Sequence, residues 1–122
     1  MAKILLVEDD PNARDLYSEI LTTAGYTVET AEDGEKGLVK ILEGGYSLVL
    51  LDVMLPKLDG LSVLAALKKE TPKEPNGKIV ILSNLTQDPV IREAMNLGAS
   101  DHISKPSLNP AEFIAKIKTL LQ

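Results

Sequence analysis

Short apolar runs alternate along the chain with longer segments whose apolar residues recur every three to four positions. The short runs predict five strands, at residues 3–7, 26–31, 48–52, 78–82 and 101–104. The longer segments predict five helices, at residues 11–24, 35–43, 60–69, 87–97 and from 110 onwards. This alternation predicts the α/β class, in which a parallel sheet is covered by helices on both faces.

The third strand is almost entirely apolar, and it ends in a carboxylate. Leu48 to Leu51 form a continuous apolar run that leads directly into Asp52, between a Gly-Gly pair and a proline. Such a run predicts a strand that is covered on both faces. Because an unpaired buried charge is unfavourable, we expect Asp52 to lie where the strand emerges, at its carboxyl end. Ligands of open parallel α/β sheets bind at that end.

The first strand ends in a similar way. Its apolar run, residues 3–7, is followed by Glu8, Asp9 and Asp10. If the two strands are adjacent and parallel, these acids meet Asp52. Like charges in one site cannot all stay ionised without compensation, so the cluster predicts a bound cation. Carboxylate oxygens suit Mg²⁺, which is commonly held together with phosphate groups, and the working hypothesis is a magnesium-assisted phosphoryl site.

Two further polar residues are expected at the same edge of the sheet. Right-handed crossover connections place the carboxyl ends of all five predicted strands on one side. Ser83 follows the fourth strand and Lys105 follows the fifth. Their coincidence with the acids on one edge is the strongest inference that the pattern alone allows.

Composition and charge narrow the functional classes. A length of 122 residues fits one domain, residues 1–122, and the net charge of −5 argues against non-specific binding of nucleic acid. The chain has no cysteine, which excludes disulfides and thiolate metal sites. Its first residues do not resemble a signal peptide, and its apolar runs are too short to insert into a membrane. We therefore expect a cytoplasmic location.

Taken together, these motifs resemble the receiver domain of bacterial response regulators, in the CheY-like superfamily of two-component signalling. The resemblance extends over the whole chain, in order and in spacing. It implies a doubly wound sheet of five parallel strands in the order 2-1-3-4-5, with five helices. The motifs that carry it are Val7-Glu8-Asp9-Asp10-Pro11, Leu51-Asp52-Val53-Met54-Leu55-Pro56, Asp59-Gly60, Ser83 and Lys105-Pro106.

The resemblance also implies a role for each site residue. Asp52 would accept a phosphoryl group from a sensor histidine kinase or a phosphotransfer protein, as an in-line nucleophile. Asp9 would bind Mg²⁺ directly, Glu8 through a water molecule, and Met54 through its backbone carbonyl. Lys105, preceding a cis bond to Pro106, would contact a phosphoryl oxygen, and Ser83 would donate a hydrogen bond to another. The cis bond would direct Lys105 inward.

Signalling would then proceed through protein–protein contacts. Phosphorylation is expected to switch the surface of the fourth helix, fifth strand and fifth helix, which an output protein reads. No output domain follows Gln122, so the chain is either a single-domain regulator or a receiver taken from a longer one. We expect no direct contact between this domain and nucleic acid.

Several positions depart from the family pattern. His102 stands where the family usually has Tyr or Phe, and Asn84 stands where a small residue usually follows the switch hydroxyl. Met54 and Leu85 are expected beside the phosphoryl site, and neither can orient an attacking water molecule. We therefore expect slow autodephosphorylation.

Three alternatives remain to be weighed. A receiver-like binding module that signals without phosphorylation would fit the unusual Asn84 and His102. A magnesium-dependent phosphohydrolase of the haloacid-dehalogenase type is disfavoured, because its second aspartate, two positions after the nucleophile, is replaced here by Met54. A flavin-binding domain is disfavoured because acids occupy the first strand–helix loop, where a phosphate cradle would be needed.

Overall fold

The sheet and its helices match the predicted architecture. A computed structural model describes residues 2–83, 88–104 and 109–122. Its five strands form one parallel sheet in the order β2-β1-β3-β4-β5, which confirms the order expected from the resemblance. The strands are β1 (Lys3–Val7), β2 (Thr27–Ala31), β3 (Leu48–Asp52), β4 (Lys78–Ser83) and β5 (Asp101–Ser104). The helices are α1 (Pro11–Thr23), α2 (Gly34–Glu43), α3 (Gly60–Lys69), α4 (Asp88–Asn96) and α5 (Pro110–Leu121).

Each face of the sheet carries its own apolar core, because successive side chains of a strand point to opposite faces. Leu5, Val49 and Ile81 pack on the face covered by α2, α3 and α4. Leu50 and Leu82 pack on the other face, with residues of α1 and α5. All five residues of β3 are buried, as its continuous apolar run predicts. Asp52 is thus fixed at the end of the best-covered strand.

Short polar side chains begin the helices, at or next to the predicted positions. Asp10, Asp59 and Asn109 are short polar residues directly before helical segments, which predicts that they are N-caps. Each accepts a hydrogen bond from a backbone N–H in the first turn of the following helix, which confirms the prediction. The start of α2 was predicted one residue too late. Asp33, which the sequence suggested was only part of a turn, is buried and caps α2 from Gly34. For α4 the sequence offers two candidate caps, Asp88 and Thr86; Asp88 is the first residue of the helix, and Thr86 lies outside the described residues.

The segment between α3 and β4 closes the amino end of the sheet. Its two prolines, its Asn-Gly pair and its charges predict an exposed loop. Most of the segment is exposed, yet it is closely hydrogen-bonded. The Asn76 side chain accepts from the Tyr46 N–H at 3.1 Å and donates to the Ile41 carbonyl at 2.9 Å. The Gly77 N–H donates to the Tyr46 carbonyl at 2.7 Å. These bonds fix the start of β3 at the end of the sheet opposite Asp52.

A group of paired charges lies near the same amino end. We call Lys3, Glu29, Lys40 and Tyr46 the Glu29 cluster. The Glu29 carboxylate lies 3.0 Å from Lys3 Nζ and 3.4 Å from Lys40 Nζ, and it accepts a 2.9 Å hydrogen bond from the Tyr46 hydroxyl. Hydrogen bonds from Lys3 and Tyr46 hold the pKa of Glu29 below its ordinary value. Burial, together with the bond to Glu29, raises the pKa of Tyr46.

Within the described parts of the chain, no helix has the length and apolar character needed to cross a membrane.

Candidate functional site

The carboxyl ends of β1 and β3 bring three predicted acids together. One carboxylate oxygen from each of Glu8, Asp9 and Asp52 lies within 4.8 Å of the other two. Glu8 and Asp52 are only 1% and 5% exposed, whereas Asp9 is exposed. We call these three residues the acid cluster. Three of the four expected acids thus meet at the ends of adjacent parallel strands, whereas Asp10 is not in the cluster and caps α1 instead.

Hydrogen bonds to backbone groups of Glu8 and Asp9 hold the two acids that follow β1. The Glu8 N–H donates to the Ala31 carbonyl at 3.0 Å, which extends the pairing of β1 and β2 by one residue. Arg14, in the first turn and a half of α1, donates from Nη1 to the carbonyls of Glu8 at 3.0 Å and of Asp9 at 3.4 Å. Arg14 is not among the site residues that the sequence predicts. The available clue was a cation six residues after Glu8 on a helix that begins at the acids.

Asp52 is held by the loop that follows it. The Met54 N–H donates to Asp52 Oδ1 at 3.1 Å, and the Val53 N–H donates to the Leu82 carbonyl at 3.3 Å. The loop returns at Gly60, whose N–H donates to the Val53 carbonyl at 2.9 Å. A Cβ on Gly60 would lie 2.5 Å from the Asp52 carbonyl oxygen, closer than any real contact. The glycine therefore lets α3 begin directly against the backbone of Asp52.

The outer side of this loop rests on the turn that begins α2. Asp33 Oδ2 lies 3.7 Å from Lys57 Nζ, and the Gly34 N–H donates to the Pro56 carbonyl at 3.5 Å. The pKa of Asp33 is lowered, chiefly by the hydrogen bond from the Lys36 N–H and further by the charge of Lys57. Asp33 and Gly34 are not predicted from the sequence as neighbours of the site. Nothing in the local pattern shows that two separate loops meet.

Ser83 lies at the expected edge. It is the last residue of β4, it is 1% exposed, and it follows Leu82, the residue paired with Asp52. In β5, its partner is Ser104. Lys105, the Lys105–Pro106 bond, Asn84 and Leu85 lie outside the described residues, so the expectations for them stay predictions.

We expect His102, whose preference for burial is weaker than that of Tyr or Phe, to lie half-exposed on the last strand, and it is partly exposed on β5. Its strand is joined to α5 through Asp101, which lies 2.9 Å from Lys116 Nζ. Burial acts to raise the pKa of Asp101, but hydrogen bonds from Lys116 and from the His102 N–H outweigh it and lower the pKa. The β5–α5 contact is therefore partly ionic.

The acid cluster fits a magnesium ion by the chemistry of its donors. Three carboxylates, two of them buried, supply hard oxygen ligands within the span of one small cation. Like charges at this separation oppose one another, and a divalent cation would compensate them. The cluster can thus hold Mg²⁺ beside Asp52, which is the group that a phosphoryl donor would approach.

Comparison with known proteins shows which family the chain resembles in sequence and in structure. The family model for the response regulator receiver domain matches residues 4–118. A crystal structure of a CheY-like receiver domain protein from Methanospirillum hungatei has 32% identity and a TM-score of 0.87, and covers 99% of this chain and 94% of its own. Response regulator protein TrrA from Thermotoga maritima, in complex with Mg(2+)-BeF, has 35% identity and a TM-score of 0.79, over 98% of this chain and 99% of its own.

A curated relative extends the comparison to a longer protein. The transcriptional regulatory protein CpxR homolog of Haemophilus influenzae is 42% identical over 122 residues, which is 100% of this chain and 51% of the relative. The chain spans about half the length of the curated relatives that it matches first. The matched family, the sheet order and the acid cluster agree, and the chain belongs to the receiver domains of two-component response regulators.

Proposed function

We propose that Asp52 accepts a phosphoryl group from the phosphohistidine of a sensor kinase or a phosphotransfer protein, in a reaction that requires Mg²⁺. The observation that supports this most is the acid cluster: a buried aspartate at the end of a fully covered strand, with two more carboxylates within 4.8 Å. Like charges gathered at this separation favour a divalent cation bound beside Asp52.

In the proposed step, a carboxylate oxygen of Asp52 forms a bond to phosphorus while the bond from phosphorus to the histidine nitrogen breaks. The electron pair of the broken bond stays on that imidazole nitrogen, and the ring leaves as neutral imidazole because its other nitrogen already carries a proton. Glu8, Asp9, Asp52 and the Met54 carbonyl would hold the ion. When bound, Mg²⁺ neutralises the charge of the transferring group. The chain's own part is to fix Asp52, through the Met54 N–H and the neighbouring strands.

Two residues would sense the product. Ser83 would donate its hydroxyl to a phosphoryl oxygen, and its burial at the end of β4 supports that role. Lys105 would place its ammonium group against another oxygen. Since phosphorylation adds roughly two negative charges, both would move toward Asp52 and displace the surface of α4, β5 and α5. An output protein would bind that surface in one of its two states.

Removal of the phosphoryl group requires water to attack phosphorus and to break the bond to the Asp52 oxygen, which releases inorganic phosphate. Met54 is exposed and apolar, and it cannot act as a base or hold a water molecule in line. Leu85 is predicted on the opposite side. We propose slow autodephosphorylation for this reason, with a half-life well beyond seconds.

The setting follows from the family. We propose that the domain works in the cytoplasm, where it meets its kinase. The Haemophilus influenzae relative is named a transcriptional regulatory protein and is about twice as long. We propose that DNA contacts, where this receiver controls them, are made by another domain, because the receiver itself is acidic.

The test is the intact mass of the protein after incubation with Mg²⁺ and acetyl phosphate. Wild type should gain one phosphoryl group, and Asp52→Asn should gain none. Asp59→Asn is the matched control, since Asp59 caps α3 in the same loop and should leave the gain intact. Loss of the added mass, followed after removal of the donor, gives the half-life. A folded wild type that gains no mass would support the binding-module alternative instead.

A further inference from the structure

We propose that the Asp33–Gly34 turn is a positioning element for the phosphorylation site, which holds the loop after Asp52 in the arrangement that binds Mg²⁺. The inference rests on the proposed function of Asp52 and adds a part of the chain that lies outside the acid cluster. It concerns the segment 53–59, which we call the acceptor loop. Asp33 and Gly34 would act through this loop, without touching the phosphoryl group.

The acceptor loop is fixed to the site at both of its ends. It leaves β3 at Asp52, whose Oδ1 accepts from the Met54 N–H, and it returns where the Gly60 N–H meets the Val53 carbonyl. Leu55 is buried in the core beneath it. A displacement of the middle of the loop is therefore transmitted to Met54, the residue whose carbonyl is proposed as a magnesium ligand.

The middle of the loop has a strained backbone. Lys57 has φ of 66°, a conformation that residues other than glycine seldom adopt. The Leu58 N–H donates to the Pro56 carbonyl at 2.7 Å, which closes a three-residue turn around Lys57. Strained conformations of this kind persist only where the surrounding structure holds them.

The surrounding structure on this side is the Asp33–Gly34 turn. The Gly34 N–H donates to the Pro56 carbonyl, and the Asp33 carboxylate faces Lys57 Nζ. The approach is so close that a Cβ on Gly34 would lie 1.5 Å from the Leu58 carbonyl oxygen, so only glycine fits without moving the acceptor loop. Asp33 is 4% exposed and also caps α2, so its position is fixed by the helix that it begins. The rigid start of α2 thus supports the strained turn.

Two variants separate this support from helix capping. Gly34→Ala pushes the acceptor loop outward and leaves the Asp33 cap in place. Asp33→Asn keeps an acceptor for the Lys36 N–H, since Asn caps helices as well as Asp does, and removes the charge that faces Lys57. Asn109→Ala is the matched control, because it removes the cap of α5, which makes no described contact with the acceptor loop.

The measurement is the Kd for Mg²⁺ by calorimetry, without any phosphoryl donor, on variants whose free energy of unfolding is known from urea titration. Gly34→Ala should raise the Kd for Mg²⁺ about tenfold, which is a common effect of changing a residue that supports metal ligands. Asp33→Asn should raise it about threefold, as expected for one partly exposed ion pair. Asn109→Ala should lose stability and keep the wild-type Kd.

A wild-type Kd in folded Gly34→Ala and Asp33→Asn would overturn the proposal. If Gly34→Ala does not fold, Asp33→Asn alone decides in the same way. A wild type that binds Mg²⁺ but gains no phosphoryl group from acetyl phosphate would overturn the proposed function instead. A wild type that does not bind Mg²⁺ would overturn both.

Discussion

The two ends of the sheet treat carboxylates in opposite ways. Near the amino end, Glu29 is surrounded by two lysines and a tyrosine hydroxyl, which stabilise its charge. At the carboxyl end, the acid cluster brings Glu8, Asp9 and Asp52 within 4.8 Å of one another. The first arrangement stabilises a carboxylate, whereas the like charges of the second repel one another and would be compensated by a bound divalent cation. Among the described contacts, the neighbours of Glu29 are thus cations and a hydroxyl, and the acids at the other end lie beside acids.

The loops at the two ends of the sheet also differ, in which part of the backbone they hold in place. At the amino end, Asn76 and Gly77 hydrogen-bond to the backbone around Tyr46, far from any proposed chemistry. At the carboxyl end, Gly60 meets the backbone of Asp52 itself. Both ends are tightly packed, but only the packing at the carboxyl end holds the proposed phosphoacceptor. Substitutions at one end can therefore be compared with matched substitutions at the other.

The largest effect is expected from crowding the backbone of Asp52. A Cβ at Gly60 would lie 2.5 Å from the Asp52 carbonyl oxygen, and a Cβ at Gly77 would lie 1.9 Å from the Ser47 carbonyl oxygen. Both alanine variants should lose roughly 1–3 kcal/mol of unfolding free energy, because backbone atoms must shift. Gly60→Ala alone should also slow phosphorylation by acetyl phosphate about a hundredfold, since a misplaced reacting group is costly.

The rate is measured by intact mass against time, at a temperature at which both variants are folded. Equal rates in Gly60→Ala and Gly77→Ala would show that the packing at Asp52 has no special bearing on the reaction.

A smaller effect, with opposite signs at the two ends, is expected when one charge is removed. Without Mg²⁺, Asp9→Asn should raise the free energy of unfolding by about 1 kcal/mol, since it relieves repulsion at an exposed position. Glu29→Gln should lower it by roughly 0.5–1 kcal/mol, the value of partly exposed pairs. Saturating Mg²⁺ should stabilise wild type more than Asp9→Asn and should leave the effect of Glu29→Gln unchanged.

Urea unfolding with and without Mg²⁺ checks both signs. Because the pKa of Glu29 is lowered in the folded state, its contribution is present above about pH 4.5 and is lost as the pH falls. The difference between wild type and Glu29→Gln should therefore disappear in acid. Destabilisation by Asp9→Asn without Mg²⁺ would contradict the account of the acid cluster.

The smallest effect is expected at alkaline pH and concerns the Tyr46 hydroxyl of the Glu29 cluster. The pKa of Tyr46 is raised in the folded state, so the unfolded chain releases this proton first, above about pH 10. Stability gained from the neutral hydroxyl is present below that pH and falls as the pH rises. Tyr46→Phe should make the alkaline loss of unfolding free energy shallower, whereas Tyr26→Phe, which keeps the bond to Glu29, should not. Urea midpoints between pH 9 and 11 give the comparison.

The sequence predicted the fold well, because each element is determined by local patterns. Periodicity and short-range chemistry predict the five apolar runs and the acids at the strand ends. They also predict the helix caps Asp10, Asp59 and Asn109. The sequence also predicted that Glu8 and Asp9 meet Asp52, since parallel strands share an edge, although Asp10 caps α1 instead of joining them.

The features of the site that could not be predicted from the sequence depend on contacts between distant segments. Arg14 donates to the carbonyls of Glu8 and Asp9, and Gly34 supports the acceptor loop through Pro56. The long side chain of Arg14 could equally have faced solvent, and the Asp33–Gly34 pair is an ordinary turn sequence. Their relation to the site appears only when the loops are placed side by side.

The position of β2 has a separate consequence for solubility at high concentration. As the outermost strand next to β1, it is a place where a strand of another molecule could add to the sheet. It is only five residues long, and it carries Glu29 in the middle with Lys3 and Lys40 beside it. Short, charged edge strands of this kind disfavour strand pairing between molecules. The ion pairs that stabilise the fold therefore also disfavour aggregation.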